Sequence, residues 1–138
     1  MLWTDGKTHQ FIEESGTMNV MFMINDTIIT APTHTGTILK GITRDSVLSI
    51  AREMGYPVEE RFLSVTELEK ALIEGKLQDA FGTGTAATIA HIFKINIHGQ
   101  DYILPEKPSY AFSNQVQKTL DDIKYGKKED KRGWIIKL

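Results

Sequence analysis

Cysteine is absent from this 138-residue chain. Its absence excludes disulfides, thiolate metal sites and a cysteine nucleophile, and it fits a reducing cytoplasm. No apolar run approaches the ~20 residues that a membrane-spanning helix needs. The opening residues, Met1-Leu2-Trp3-Thr4-Asp5-Gly6-Lys7, lack the apolar core of a secretory signal. Charge of one sign is lacking too. The 16 basic and 18 acidic side chains leave a net charge of −2, which gives no reason to expect nucleic-acid binding. The basic run Lys127-Lys128-Glu129-Asp130-Lys131-Arg132 is broken by acids and reads as a solvated loop. The four histidines, His9, His34, His91 and His98, are scattered without metal-ligand spacing, so no metal is expected. Internal repeats and low-complexity segments are also missing.

What is present is ordinary globular material: 41% hydrophobic and 25% charged residues. The length suits a single domain over 1–138, which can bury roughly 70% of its extended-chain surface. Asn19–Ile24 and the β-branched Thr27–Thr30, separated by Asn25-Asp26, predict a hairpin. Val47, Leu48, Ile50, Ala51 and Met54 recur at helical spacing, with Thr43 as the expected N-cap and Gly55 as the stop. Val58 to Val65 reads as a strand. Ser64 or Thr66 caps a second helix over Glu67–Glu74, with Leu68, Ala71 and Leu72 inward and Gly75 at its end. Leu77 to Phe81 is strand-like. Thr88–Ile97 and Asp101–Leu104 predict another hairpin, and Phe112, Val116, Leu120 and Ile123 place a final helix over Tyr110–Tyr125. The mixture is α/β or α+β.

The most telling stretch is Phe81-Gly82-Thr83-Gly84-Thr85-Ala86. A backbone of Gly and Thr can approach an anion closely and aim N–H and O–H donors at it. The stretch fits neither the G-x-G-x-x-G spacing nor a P-loop, since no lysine follows the glycines. By itself it is equally a plain tight turn. Two further segments of the same character accompany it: Gly41-Ile42-Thr43-Arg44, which opens the first helix, and Glu14-Ser15-Gly16-Thr17-Met18-Asn19.

Together with Gly36-Thr37-Ile38-Leu39-Lys40, Val58-Glu59-Glu60-Arg61 and the tail Asp122-Ile123-Lys124-Tyr125-Gly126…Gly133-Trp134, these segments resemble the C-terminal part of the branched-chain amino acid aminotransferases. Those are pyridoxal 5'-phosphate (PLP) enzymes of fold type IV. The resemblance covers nearly the whole chain in order and spacing. It implies a truncated C-terminal pseudo-barrel domain with helices around it, in a cytoplasmic homodimer. The whole enzyme would transfer the amino group of leucine, isoleucine or valine to 2-oxoglutarate.

The resemblance also implies roles for individual residues. PLP has a phosphate, a pyridine nitrogen and an aldehyde to be held. The phosphate falls to the backbone N–H groups of Ile42 and Thr43 and to the hydroxyls of Thr43 and Thr85. A helix start offers free N–H groups and a favourable dipole there. Read by itself, Thr43 is a simple N-cap, and both roles can coexist. The pyridine nitrogen falls to Glu14, because a neighbouring carboxylate raises the nitrogen's pKa and keeps it protonated. Glu13, next along the strand, is expected to point to the opposite face. Thr17, Thr85 and the Ala86 N–H are the expected substrate contacts, and small residues are expected there to leave room for substrate. Met18, Met21 and Met23 read as core. Lys40 reads as solvated.

The third handle, the Schiff-base lysine, lies upstream of Glu14 in the family, and none of the twelve lysines here falls at that position. No catalytic residue is therefore expected in this chain, and the chain alone is expected to be inactive. Ala87-Thr88-Ile89-Ala90-His91 stands where some relatives carry a redox cysteine pair. Three alternatives remain open: a D-amino acid transaminase, an aminodeoxychorismate lyase, or a non-catalytic PLP-binding or assembly module.

Overall fold

A computed structural model describes residues 1–85 and 88–136. Its centre is β3 (Met18–Ile24), all but the first residue of which is buried. Apart from Asn19 the strand is apolar, because both of its faces are covered and no hydrophobic-in, polar-out alternation is needed. Val20, Phe22 and Ile24 face one core; Met21 and Met23 face another.

Along one edge of β3 two strands follow each other. β2 (Phe11–Ser15) pairs with Met18 and Asn19, and β4 (Thr27–Thr30) pairs with Met21 to Ile24. Along the other edge β7 (Leu77–Thr83) runs antiparallel for the full length. β1 (Leu2–Thr4) and β6 (Leu63–Ser64) extend the sheet from β2, and β5 (Val58–Glu60) joins β4 as its parallel neighbour. β8 (Ile89–His91) adds to β7. The hairpin predicted from Asn19–Ile24 and Thr27–Thr30 is therefore present, around Asn25 and Asp26, both at positive φ.

Two layers cover the eight-stranded sheet. α1 (Ile42–Glu53) and α3 (Phe112–Lys124) bury Val47, Leu48, Ile50, Ala51, Phe112 and Val116 against Met21, Met23 and Phe81. Phe112 meets Tyr56 edge-on, with ring centres 5.1 Å apart, and Phe81 at 5.9 Å. On the other face α2 (Val65–Ile73) and the hairpin β9 (Lys94–Ile97) and β10 (Gln100–Ile103) bury Leu68, Ala71, Ile95 and Ile97. Buried Asp79 of β7 ties down the start of α3. Its Oδ2 accepts the Ser113 N–H at 2.9 Å, and its Oδ1 accepts from the buried ammonium of Lys107.

Three expectations need correction. The continuous strand over Val58–Val65 is two short strands, and the second helix begins at Val65. Ser64, not Thr66, is its cap, with Oγ accepting the Glu67 N–H at 3.0 Å. The single strand over Thr88–Ile97 is broken at Ile92 and Phe93. An unbroken strand would put Ile89, Ile95 and Ile97 on one face, but Ile89 packs in the core of Met21 and Met23 and the other two in the core of Val20 and Phe22. Thr43 is not the cap of α1. Gly41 is, with φ −74° and ψ 131° and no side-chain hydrogen bond to the helix.

Candidate functional site

Strand direction brings the three segments singled out by sequence to one end of the sheet. The β2–β3 turn at Gly16 and Thr17, the loop from β4 to α1, and the exit of β7 at Gly84 and Thr85 all leave beside the start of β3. Across that end runs one register row: Trp3 opposite Glu14, Glu14 opposite Asn19, Asn19 opposite Thr83, and Thr83 opposite Ile89. Aligned residues share a face, and this is the α1 face.

Glu13 and Glu14 do not divide between the two faces as adjacent strand residues would. The β1–β2 register skips Glu13, pairing Trp3 with Glu14 and Thr4 with Ile12. The extra residue is a bulge, which re-aims the side chains beside it. Both carboxylates consequently reach the loop before α1: Glu13 accepts from the Thr37 hydroxyl at 3.0 Å, and Glu14 from the Leu39 N–H at 3.1 Å.

Asn19 grips the same turn from below. It is 6% exposed, and its amide donates to the Leu39 carbonyl at 2.9 Å. Glu14 and Asn19 thus hold the N–H and C=O of one residue. A Cβ at residue 41 would stand 2.3 Å from Asn19 Oδ1, so only glycine allows the turn to sit this close to β3. The Leu39 side chain remains 72% exposed between these anchors and the helix.

The helix that follows presents Ile42, 87% exposed, and the half-buried Thr43 in its first turn. The N–H groups of Ile42, Thr43 and Arg44 lack intrahelical acceptors by helix geometry, and no side chain caps them. The helix start is therefore free to receive an anion. Arg44 fixes its position. The residue is 2% exposed, and its guanidinium donates to the Ala31 carbonyl at 3.0 Å and to Glu60 at 2.8 Å. That hydrogen bond, with the charges of Arg44 and Arg52, holds the Glu60 carboxyl below its ordinary pKa.

On the opposite side Thr83 is buried and Thr85 exposed. The open faces of the neighbouring glycines are filled by Met18. A Cβ at Gly82 would lie 3.0 Å from Met18 Cε, and one at Gly84 2.9 Å from Met18 Cγ. The smallness of Gly82 and Gly84 thus makes room for Met18. Of the three methionines read as core, Met21 and Met23 are, whereas Met18 is half-buried against the glycines and belongs to neither core. Ala86 and Ala87 lie outside the described residues, so the expected Ala86 contact is not described. Thr17 is exposed at the tip of its turn, on the same end of the sheet. Lys40 is exposed.

Glu14, Ile42, Thr43 and Thr85, the expected cofactor residues, therefore gather at one end of one sheet. Sequence reading gave no role to Asn19, to buried Arg44, to Leu39 or to Thr83. Asn19 carried a signal, since a short amide inside an apolar strand is disfavoured unless it holds something.

Residues 3–95 match the family described as amino-transferase class IV. The chain is 36% identical over 138 residues to a probable branched-chain-amino-acid aminotransferase of Staphylococcus epidermidis, covering 100% of this chain and 38% of that protein. The figures are the same for branched-chain-amino-acid transaminase 1 of Bacillus subtilis. The chain thus spans well under half the length of the curated relatives it matches. Among solved structures, the branched-chain amino acid aminotransferase of Escherichia coli superposes with a TM-score of 0.78 at 26% identity, covering 99% of this chain and 42% of that one. The PLP form of the Thermobaculum terrenum enzyme gives 0.79 at 27% identity, covering 98% and 40%. This chain therefore belongs to the class IV aminotransferases, with the fold-type-IV architecture and its relatives among the branched-chain enzymes.

Proposed function

We propose that this chain is the cofactor-binding part of a PLP-dependent branched-chain amino acid aminotransferase. The whole enzyme would move the amino group of leucine, isoleucine or valine to 2-oxoglutarate, as a cytoplasmic homodimer. The observation that carries this reading is the convergence of one carboxylate, one uncapped helix start and one Gly/Thr turn on a single sheet end, within the segment that matches the family. The donor set fits the cofactor: anion-binding groups at one side, a carboxylate at the other, and exposed apolar surface at Leu39 between them.

Bound there, PLP would supply an electron sink for the carbon that loses its proton. Everything else falls to the chain. The N–H groups of Ile42 and Thr43, with the Thr43 and Thr85 hydroxyls, hold the phosphate dianion at the positive end of the α1 dipole. Glu14 keeps a proton on the pyridine nitrogen by placing a negative charge beside it. The Leu39 peptide, held by Glu14 and Asn19, fixes the spacing between these ends. Thr17 and Thr85 would contact the substrate. The lysine that carries the cofactor comes from a segment outside these residues. Lys107, the one described lysine that is not exposed, is committed to Asp79.

The test joins this chain to the lysine-bearing portion of its Bacillus subtilis relative and assays glutamate formation from 2-oxoglutarate. Turnover is expected with leucine, isoleucine and valine. A soluble, PLP-loaded fusion that turns over only a D-amino acid, or nothing, contradicts the assignment.

A further inference from the structure

We propose that the Thr83 hydroxyl is a further phosphate ligand of this site, donating a hydrogen bond to an oxygen of the cofactor's phosphate ester. The proposal rests on the reading of the site as a PLP site and adds a residue to it.

Thr83 is the last residue of β7 and is 1% exposed. Its Oγ1 is buried and has no hydrogen-bond partner among the described residues. Buried hydroxyls are almost always paired, because desolvating one without a partner is unfavourable. Valine has the same shape without that penalty and favours strands equally. A bare hydroxyl in a sheet therefore asks for a partner that arrives from outside.

Its position says which. Thr83 stands beside Asn19, and Asn19 beside Glu14, in one row on the α1 face. Two inter-strand steps separate Glu14 from Thr83, roughly 10 Å, enough for a pyridine ring and its phosphate arm to lie between. Asn19, in the middle, is already engaged. Its amide donates to Leu39, and its Oδ1 abuts Gly41, which opens α1. Thr83 therefore lies on the side of the row that the α1 start and the Gly84-Thr85 turn share. Donors meet there from two directions, and an anion is the ligand that accepts from all of them.

The experiment uses Thr83→Val and Thr83→Ser in this chain, with two readouts. Thermal unfolding without ligand is expected to leave Thr83→Val as stable as the parent or slightly more so, since an unpartnered polar group has been removed. Binding is then titrated with PLP and with inorganic phosphate. Thr83→Val is expected to weaken both by about tenfold or more, the range for a hydrogen bond to a charged group, and Thr83→Ser to restore both. A melting point several degrees lower for Thr83→Val overturns the proposal, because the hydroxyl then serves the fold. Unchanged affinity for PLP, or a loss for PLP without a parallel loss for inorganic phosphate, also overturns it while leaving the site reading intact. If the parent chain binds neither probe, the site reading itself fails and the proposal falls with it.

Discussion

At the scale of single residues, Glu14 and Thr85 have the proposed roles that are easiest to separate. In the joined enzyme, Glu14→Gln keeps the side chain's shape but removes the charge that would hold the ring proton. PLP occupancy should stay nearly intact while kcat falls by several orders of magnitude, because the lost interaction belongs to the transition state. Near-normal kcat would return Glu14 to the role it visibly has here, a partner for the Leu39 N–H. Thr85→Val should do the reverse. Cofactor retention should weaken by about 1.5–3 kcal/mol, with little change in kcat once PLP saturates. Equilibrium dialysis and saturating kinetics separate the two. Gly41 offers a structural check on the same site. Its φ of −74° suits any residue, so the harm in Gly41→Ala must come from Asn19 Oδ1, 2.3 Å from the added carbon. Asn19→Ala in the same chain should relieve most of that loss of stability, whereas additive losses in thermal unfolding would show that the contact is not the cause.

Among elements, α1 matters most, because its start is the proposed anion site. It is pinned at its first turn by Arg44 to Glu60 and to the Ala31 carbonyl. Glu60's carboxyl has a lowered pKa in the folded chain, chiefly through the Arg44 hydrogen bond. A depressed folded-state pKa contributes stability above the ordinary glutamate pKa, and that contribution is lost as pH falls through the folded value. The parent should therefore lose part of its stability on acidification below the usual carboxylate range. Glu60→Gln should start lower at neutral pH and show a flatter acid profile; denaturant titrations from pH 7 downward check this. Equal acid slopes for the two proteins would remove Glu60 from the account. The same element shows how far the sequence could be read. Its apolar face and Gly55 stop were plain, because helical periodicity is local. Its cap was misassigned to Thr43, because a hydroxyl signals a cap locally while Gly41's reason for being glycine lies twenty-two residues away in Asn19. The bulge at Glu13 was invisible for the same reason: register belongs to the pairing with β1, not to β2 itself. Ile89 and Ile95 look like one alternating strand until the two cores that claim them are known. The broad fold and the place of Glu14, Ile42, Thr43 and Thr85 were legible only through the family's motifs. Composition and periodicity gave the mixture of strands and helices and the local β3–β4 hairpin, but not how the sheet and its two layers are assembled.

For the whole molecule, the proposed function needs a cofactor-bearing lysine beyond the residues of this chain. The chain alone should give no transamination of 2-oxoglutarate by leucine, isoleucine or valine, and robust PLP-dependent turnover by it would contradict that need. Exposed Met1, Trp3 and Phe93 near the β1 edge lead us to expect self-association, which sedimentation at several concentrations would detect; a clean monomer at high concentration counts against it. The central claim is that this chain by itself builds a PLP site at the start of β3. Trp3 sits opposite Glu14 in the register row and is one of two tryptophans, so Trp134→Phe leaves a single reporter beside the site. Titrating that variant with PLP should quench Trp3 saturably at one equivalent, and inorganic phosphate should reverse the quenching by competition. Quenching that rises without saturation, or that inorganic phosphate leaves untouched, would contradict the claim.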